Sequence, residues 1–455
     1  MEAEALLREI DEFCRAHTVA TSTFGRLAVN DGKFVGRLQN GGKVTTSTVE
    51  RVRAFMQETG GAELDAAMKA LNGGEQTSQA RNFRFYDNRQ KYLMFVNTCG
   101  EKWVVAERVA LELDQIRPRP PAMRLFDAGM GDGTVLARVM RAMHYKFEKH
   151  PFYIAGKEIS LEDVRLTLEK MPDRFFEHPA TALVLTNLPY SEAPWLTPRD
   201  PVEMARLVWK EVALEGATTA QFERQITELQ GFLAENWRTR ASKKTGNPVY
   251  QRPVVLILYR EDCRFMLDSV LPRRGIARAD FDLVLAIQPY RARSPTEVKA
   301  KHVVTPLARA LGQGGRLIGI HSHGDDPGLE IIQRIWPGEA PFQTDRHALL
   351  RAVKEQLGKD AHNFGLAAGA DSKALFRYDM HTLPDEIGQD ASIGTSTLLA
   401  AWNAAVYVAQ IEDQRLAEAM ASSAYIGATR DVLRERGGLW FNDESFVISR
   451  KRDLA

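Results

Sequence analysis

A glycine-rich turn between an apolar segment and an amphipathic one is the feature that most constrains the fold of this chain. Met123–Asp127 is a short apolar run typical of a buried strand, and glycines follow it at positions 129, 131 and 133. The next apolar residues are spaced for the buried face of a helix: Val135, Leu136, Val139 and Met140. Glycines allow a sharp turn and a close approach of backbone to a ligand, and the first turn of a helix presents free N–H groups. The pattern predicts a strand–turn–helix unit of an α/β sheet with a nucleotide-like ligand.

The spacing of the glycines separates two ligand classes. A dinucleotide fingerprint is G-x-G-x-x-G, whereas this turn has the order Asp127-x-Gly129-x-Gly131-x-Gly133, with the acid before the first glycine. That order resembles motif I of the class I S-adenosylmethionine (AdoMet) methyltransferases. The resemblance implies a Rossmann-like methyltransferase sheet with helices on both faces, AdoMet as cofactor, and these four residues in its binding site.

The following apolar segment carries a second candidate cofactor residue. Residues 152–157 read as a strand, Glu158 stands at its tip, and a helical pattern follows over 160–171. A carboxylate at the tip of the second strand can accept hydrogen bonds from both ribose hydroxyls, as the acid does in other Rossmann-like folds. The family resemblance assigns that role to Glu158.

Two similar strand ends compete for the fourth position in the predicted sheet. Residues 181–190 end in NLPY, which resembles motif IV of amino-directed methyltransferases and implies that Asn187 accepts hydrogen bonds from a target amine while Tyr190 stacks on a base. Residues 281–290 end in IQPY. A helix over 296–311, a glycine turn and another strand follow them, an order that resembles the fourth and fifth strands of small-molecule methyltransferases.

We favour 281–290 as the fourth strand because it completes a strand–helix–strand unit with the usual glycine turn. In this interpretation residues 254–259 form the third strand, and Glu261 or Asp262 lies near the adenine of the cofactor. Residues 181–250 are then an insertion. Asn187 and Tyr190 still border the pocket if their strand joins the sheet.

The C-terminal half offers a further catalytic candidate and no expected metal site. His321, His323, Asp325 and Asp326 could ligate a divalent ion, but the Gly-Asp-Asp-Pro run is more typical of a turn and a helix cap. His321 is a candidate general base because imidazole titrates near neutral pH. Residues 439–449 read as a terminal hairpin, like the antiparallel last strands of the methyltransferase fold.

The pattern divides the chain into a helical domain over 1–56, a linker over 57–90 and a methyltransferase domain over 91–455. That last domain contains a helical insertion at about 191–250. The insertion suits a substrate lid or, equally, a packing or dimer arm. Its apolar residues are spaced for one buried face: Val202, Leu207, Val208, Phe222, Ile226, Leu229, Phe232 and Leu233.

The first 56 residues predict a small all-α domain that resembles the repressor-type helix-turn-helix domains of bacteria. Three short helices would turn these apolar residues inward: Phe24, Leu27, Ala28, Phe34, Val35, Leu38, Val49, Val52 and Phe55. Residues 13–56 carry seven basic and two acidic side chains, a local net charge of +5. Lys33, Arg37 and Asn40 would lie on the exposed side of the second helix, where such domains contact DNA. The alternative is a bundle used for dimerisation or as a cap.

The composition limits the partners, metal sites and cellular locations that remain possible for this chain. The 455 residues include 60 Lys and Arg against 59 Asp and Glu, so no global charge attracts nucleic acid or membrane. Three widely spaced cysteines fit a reducing compartment and exclude a cysteine-based zinc site. Neither a signal-peptide pattern nor an apolar run of membrane-spanning length is visible. We therefore expect a soluble, cytoplasmic protein.

These features predict an AdoMet-dependent methyltransferase with an N-terminal DNA-binding-like module. A small-molecule methyl acceptor is favoured. Two alternatives stay open: a nucleic-acid amino-methyltransferase that uses the NLPY turn, and a transcriptional regulator that senses AdoMet without catalysis.

Overall fold

The computed structural model describes residues 2–16, 21–29, 34–39, 46–58, 89–242, 246–383 and 393–452. The chain divides into two compact units, Met1–Arg81 and Asn82–Ala455. Lys33, Asn40 and most of the predicted linker lie outside the described residues.

The described part of the first unit is helical. Three of its helices are those that the apolar spacing predicts, and their inward residues include Phe24, Phe34 and Val52. Arg37 is exposed on the short third helix, whereas Arg53 pairs with Glu9 at 2.8 Å. The helices are α1 (Glu2–Ala16), α2 (Thr21–Val29), α3 (Phe34–Gln39) and α4 (Thr46–Glu58).

The second unit is built on one large sheet. Its order is β10-β12-β9-β8-β1-β2-β3-β7-β4, with β11 paired to β12, and β5 and β6 form a separate hairpin. The strands are β1 (Met123–Asp127), β2 (Phe152–Lys157), β3 (Thr181–Thr186), β4 (Val208–Leu214), β5 (Thr239–Ala241), β6 (Pro248–Tyr250), β7 (Val254–Arg260), β8 (Phe281–Ile287), β9 (Leu311–Ser322), β10 (Phe364–Ala367), β11 (Leu375–Asp379) and β12 (Trp440–Arg450).

Helices cover both faces of this sheet, because successive residues of β1 enter different cores. Leu125 packs in the core that contains Val135 and Leu136, and Phe126 packs in the core that contains Val304 and Leu307. The helices are α5 (Arg89–Thr98), α6 (Glu101–Leu113), α7 (Thr134–Phe147), α8 (Leu161–Glu169), α9 (Met171–Glu177), α10 (Pro201–Arg206), α11 (Thr219–Thr227), α12 (Gln230–Asn236), α13 (Arg264–Leu267), α14 (Thr296–Lys299), α15 (Thr305–Arg309), α16 (Pro327–Ile335), α17 (Arg346–Leu357), α18 (Asp371–Ala374), α19 (Thr395–Val408), α20 (Asp413–Ser422) and α21 (Ala424–Arg436).

Five parallel strands, β3, β2, β1, β8 and β9, form the centre of the sheet. Among them β8 is the fourth in chain order, so the interpretation that places the fourth strand at 281–290 is confirmed. The chain leaves β1 toward β2 and later returns to pair β8 with the other edge of β1. This reversal is the switch point at which doubly wound sheets bind ligands, outside the carboxyl ends of the strands.

The predicted third strand is wrong. Residues 181–186 pair in parallel with β2 and form the third strand, whereas residues 254–260 pair antiparallel with β3. Both segments are buried along their whole length, and a continuous apolar run carries no information about strand direction. The insertion therefore lies between β3 and β8 rather than over 181–250.

Two smaller expectations also need correction. The predicted helical insertion contains the strand β4, and Val202, assigned to its buried face, is 65% exposed. The predicted terminal hairpin is one long strand, β12, which pairs antiparallel with β9 and also pairs with β10 and β11. Within the described residues, no helix has the length and apolar character needed to cross a membrane.

Candidate active site

A cavity of about 650 Å³ opens at the carboxyl ends of the central strands, beside the switch point. Its wall includes the glycine turn after β1, the tip of β2 and the turns after β3 and β8. Side chains from α5, α14 and α19 also line it. The residues that matter below are Gly129, Gly131, Lys157, Glu158, Tyr190, Gln288, Tyr290 and Lys299.

The three glycines of the turn have different roles. Gly129 and Gly131 line the cavity, and Gly131 has a left-handed φ of +53°. Gly133, at φ +75°, does not line the cavity; a Cβ there would lie 2.7 Å from Oγ1 and 2.9 Å from Cα of Thr167. Gly133 therefore serves the close packing of the turn against α8 rather than the direct ligand contact that the sequence predicts.

Glu158 stands on the cavity wall, at the tip of β2, as predicted. Its Oε1 accepts hydrogen bonds from the N–H groups of Ile159 and Ser160, at 2.7 and 2.9 Å, and its Oε2 accepts one from Gly131 at 2.9 Å. Burial raises the pKa of Glu158, and Lys157 opposes that shift. A carboxylate has about four acceptor positions, and backbone N–H groups occupy three of them in Glu158. One hydroxyl of a ligand diol could bind at the fourth position, and the other could replace the N–H of Gly131.

Asp127 supports the glycine turn from its buried side, away from the cavity. The side chain is buried and does not line the cavity, and its Oδ1 accepts the N–H of Gly129 at 3.2 Å. Burial raises the pKa of Asp127 to about 7, and Glu158 adds to the rise against the effects of Gly129 and Lys102. Its role is to hold the glycine turn, with a charge that changes near neutral pH.

Two residues of the NLPY turn have different roles: Asn187 joins two strands, and Tyr190 lines the cavity. Asn187 is buried and absent from the cavity wall; its Nδ2 donates to the Arg252 carbonyl and its Oδ1 accepts the Val254 N–H, both at 2.9 Å. The prediction that Asn187 accepts a hydrogen bond from a substrate amine is wrong, because both ends of its amide already join β3 to the start of β7. Tyr190 does line the cavity, and its hydroxyl donates to the Pro289 carbonyl at 2.8 Å.

Asp262 lies at the opposite edge of the sheet from the cavity. It follows β7, which runs antiparallel to β3, so its end of the strand is beside the start of β3. There it forms an ion pair with Arg260 at 2.5 Å, and Arg260 also donates to the Phe175 carbonyl. The prediction that Asp262 contacts the adenine is therefore wrong.

His321 does not reach the cavity but contacts a residue that does. His321 is buried within β9, and its Nδ1 lies 2.6 Å from the hydroxyl of Tyr290, a residue of the cavity wall. Its Nε2 lies 2.7 Å from Oε1 of Glu444. The IQPY strand end that carries Tyr290 is visible in the sequence, but no local signal identifies Glu444.

The charge on Glu444 fixes the direction of these hydrogen bonds. Burial opposes its ionisation, but hydrogen bonds from His321 and Arg346 outweigh burial and lower the pKa of Glu444 to about 2. Arg346 donates through its backbone N–H and its Nη1, both at 2.8 Å. When the imidazole of His321 is neutral, an ionised Glu444 accepts its Nε2 proton, and Nδ1 is left to accept the proton of Tyr290.

The acidic run after His321 forms a helix cap. Oδ1 of Asp326 accepts the N–H of Leu329 at 2.7 Å at the start of α16, which confirms the predicted cap. Within the described part of the chain, no group of three or more His, Cys, Asp or Glu residues is arranged to hold a metal ion.

Comparisons with known proteins yield only distant structural similarity. No family model and no curated protein matches the chain. A solved geranyl diphosphate methyltransferase, in complex with GPP and sinefungin, has 12% identity and a TM-score of 0.27, over 76% of this chain and 78% of that one. Phosphoethanolamine N-methyltransferase 2 of Haemonchus contortus, in complex with AdoMet, has 11% identity and a TM-score of 0.25, over 77% and 53%.

A methyltransferase subunit of a type I restriction-modification system from Streptococcus thermophilus is also similar. It has 14% identity and a TM-score of 0.20, over 78% of this chain and 59% of that one. At these identities and TM-scores the similarity assigns no function to this chain.

Proposed function

We propose that this chain is an AdoMet-dependent methyltransferase. The observation that carries the proposal is the joint position of Gly129, Gly131 and Glu158 on one cavity wall at the switch point of the sheet. The turn brings bare backbone to the cavity, and the carboxylate at the tip of β2 suits the ribose hydroxyls of a nucleoside. Above about pH 7, where it is ionised, buried Asp127 places negative charge behind the turn, which suits a cationic sulfonium ligand.

A small-molecule acceptor agrees best with the side chains around the cavity. The nucleic-acid alternative depends on Asn187, whose amide is already bonded at both ends. Bound AdoMet would supply the activated methyl group, and the chain would hold the acceptor and remove its proton.

Tyr290, His321 and Glu444 form the route by which we propose that this proton leaves. The X–H bond of the acceptor breaks as its proton passes to the hydroxyl oxygen of Tyr290, and the original Tyr290 proton passes to Nδ1 of His321, so Tyr290 ends neutral. The resulting imidazolium is balanced by the carboxylate of Glu444 at 2.7 Å. This is the arrangement of base and orienting acid that activates nucleophiles in other enzymes, with a tyrosine as the group that meets the substrate.

Methyl-labelled AdoMet incubated with the protein and a cell extract tests the proposal. The expected result is label in the small-molecule fraction, reduced about 10²-fold or more by Tyr290→Phe or His321→Gln, because loss of a general base typically costs 10²–10⁴-fold. His302→Gln is the matched control, since His302 is exposed on the segment after α14. Label in the nucleic-acid fraction would contradict the small-molecule assignment, and calorimetry that shows binding of NAD but not of AdoMet would overturn the function itself.

We also propose that the first unit binds DNA. Its support is the predicted helical pattern, the local excess of basic residues over 13–56 and the exposed position of Arg37 on α3. Gel shifts of the full chain on genomic fragments should show binding that Arg37→Ala and Lys33→Ala weaken and that added salt weakens steeply. Binding of AdoMet together with DNA, without transfer of label to any fraction, would instead favour a regulator that senses AdoMet.

A further inference from the structure

Two lysines of the cavity wall have no ion-pair partner among the described residues. Lys299, in α14, is only 2% exposed; its ammonium donates to the Ala292 carbonyl at 2.7 Å and lies 5.1 Å from the ring centroid of Tyr290. Lys157, at the end of β2, has its ammonium 4.9 Å from the ring centroid of Tyr190. Each lysine therefore lies against a tyrosine of the same cavity.

The carboxylates of the site do not neutralise Lys299. Glu158 is held by three backbone N–H groups on the cofactor side of the cavity. Burial lowers the pKa of Lys299 to about 8, and no acid opposes that shift. Burial also lowers the pKa of Lys157, against which only Glu158 acts. A buried ammonium without a counter-ion is costly, and a ligand that supplies the missing negative charge removes that cost.

The two lysines contact tyrosines of adjoining turns of the cavity wall. The hydroxyl of Tyr190 donates to the Pro289 carbonyl, so the turns after β3 and β8 adjoin. Lys157 and Lys299 contact the tyrosines of these two turns. Lys157 also adjoins the residues proposed for the cofactor, because Glu158 follows it at the tip of β2 and the Lys157 carbonyl accepts the N–H of Met130 in the glycine turn at 3.3 Å. Lys299 belongs instead to α14.

We propose that Lys299 and Lys157 form an oxyanion subsite and that the methyl acceptor is an organic anion, whose carboxylate or phosphate binds there while a separate X–H group is methylated. This inference rests on the proposed methyltransferase function, because it assigns the subsite to the acceptor of the same reaction. The carboxylate of AdoMet is the other anion that could reach Lys299, and the experiment must separate the two.

Calorimetry on the full-length protein saturated with S-adenosylhomocysteine distinguishes binding of an acceptor anion from binding of the cofactor carboxylate. The probes are benzoate, phenyl phosphate and the neutral benzyl alcohol. We expect the two anions to bind more tightly than the alcohol, and the tighter of them to identify the acid class. Lys299→Met should weaken anion binding by about 10- to 100-fold, the effect of a lost charged hydrogen bond, and Lys299→Arg should retain part of it. Lys301→Met is the matched control, since Lys301 is exposed on the adjoining turn.

The outcomes distinguish this inference from the proposed function. Failure of the protein to bind S-adenosylhomocysteine would refute the function. Normal cofactor binding with equal affinity for anions and alcohol would refute the subsite alone. So would a Lys299→Met variant that loses cofactor affinity, because Lys299 would then pair with the cofactor carboxylate. If Lys299→Met does not fold, Lys157→Met provides the same comparison, with a smaller loss expected at this less buried site.

Discussion

Replacement of Gly133 by alanine should destabilise the second unit without entering the cavity. The φ of +75° places Gly133 in the left-handed region, which costs an L-residue about 1–2 kcal/mol. The new Cβ would also lie 2.7 Å from Oγ1 and 2.9 Å from Cα of Thr167. The second contact is with backbone and cannot be relieved by a rotamer change, so overpacking adds about 1–3 kcal/mol. The total loss in free energy of unfolding is about 2–5 kcal/mol.

Gly131→Ala is the matched comparison. Its φ of +53° carries the same kind of backbone cost, but the nearest atom to the new Cβ is the hydroxyl oxygen of Tyr92 at 3.5 Å, an ordinary contact. We expect a loss of only about 1–2 kcal/mol. Because this Cβ points into the cavity, Gly131→Ala should weaken AdoMet binding more than Gly133→Ala does in protein that remains folded.

Urea unfolding followed by tryptophan fluorescence measures the stability of the second unit alone. All seven tryptophans of the chain lie beyond residue 81, the last residue of the first unit. Calorimetric titration with AdoMet measures the second effect. If Gly133→Ala is no less stable than Gly131→Ala, the contact with Thr167 does not constrain the turn. If it also loses more cofactor affinity, the assignment of Gly133 to packing is wrong.

Three further perturbations address the remaining groups. AdoMet affinity should rise as the pH is raised through about 7, where Asp127 ionises and attracts the cationic cofactor, and Asp127→Asn should flatten that rise in calorimetry. Asn187→Ala should lower the free energy of unfolding by about 1–3 kcal/mol, because the buried N–H of Val254 loses its acceptor; full stability with lost methyl transfer would contradict this. Glu444→Gln should lower the free energy of unfolding, measured by urea unfolding, by up to about 3–5 kcal/mol. It removes the buried ion-pair partner of Arg346 and leaves the exposed Asp371 as its ion-pair partner among the described residues.

The glycine turn was predictable because its signal is local. The left-handed φ at Gly131 requires a glycine, and the tip of β2 requires an acid, which is Glu158. Each of these residues can be recognised from a few neighbouring positions in the sequence. The apolar spacing that follows them determines the helix in the same way. These elements place the candidate cofactor contacts on the correct strand ends without knowledge of the rest of the sheet.

The proposed proton route could not be predicted because it depends on long-range register. Glu444 meets His321 only because the two are paired residues of antiparallel β12 and β9. A shift of one residue would turn Glu444 to the other face of the sheet. The sequence shows an acid in an apolar strand and a histidine at the end of another, but not that they lie opposite each other or that Tyr290 completes the set.

Strand direction explains the remaining errors at the site. The carboxyl ends of parallel strands meet at one edge of a sheet, so an acid after a parallel strand approaches the cofactor and an acid after an antiparallel strand does not. Glu158 and Asp262 both follow a buried apolar strand, and their local patterns are alike. Within the insertion between β3 and β8, the strand β7 runs antiparallel to β3, so Asp262 at its end lies at the far edge of the sheet. Asn187 fastens this reversed strand to β3. Hydrophobic pattern therefore identifies which segments enter the sheet, whereas connectivity decides which of their terminal side chains can take part in chemistry.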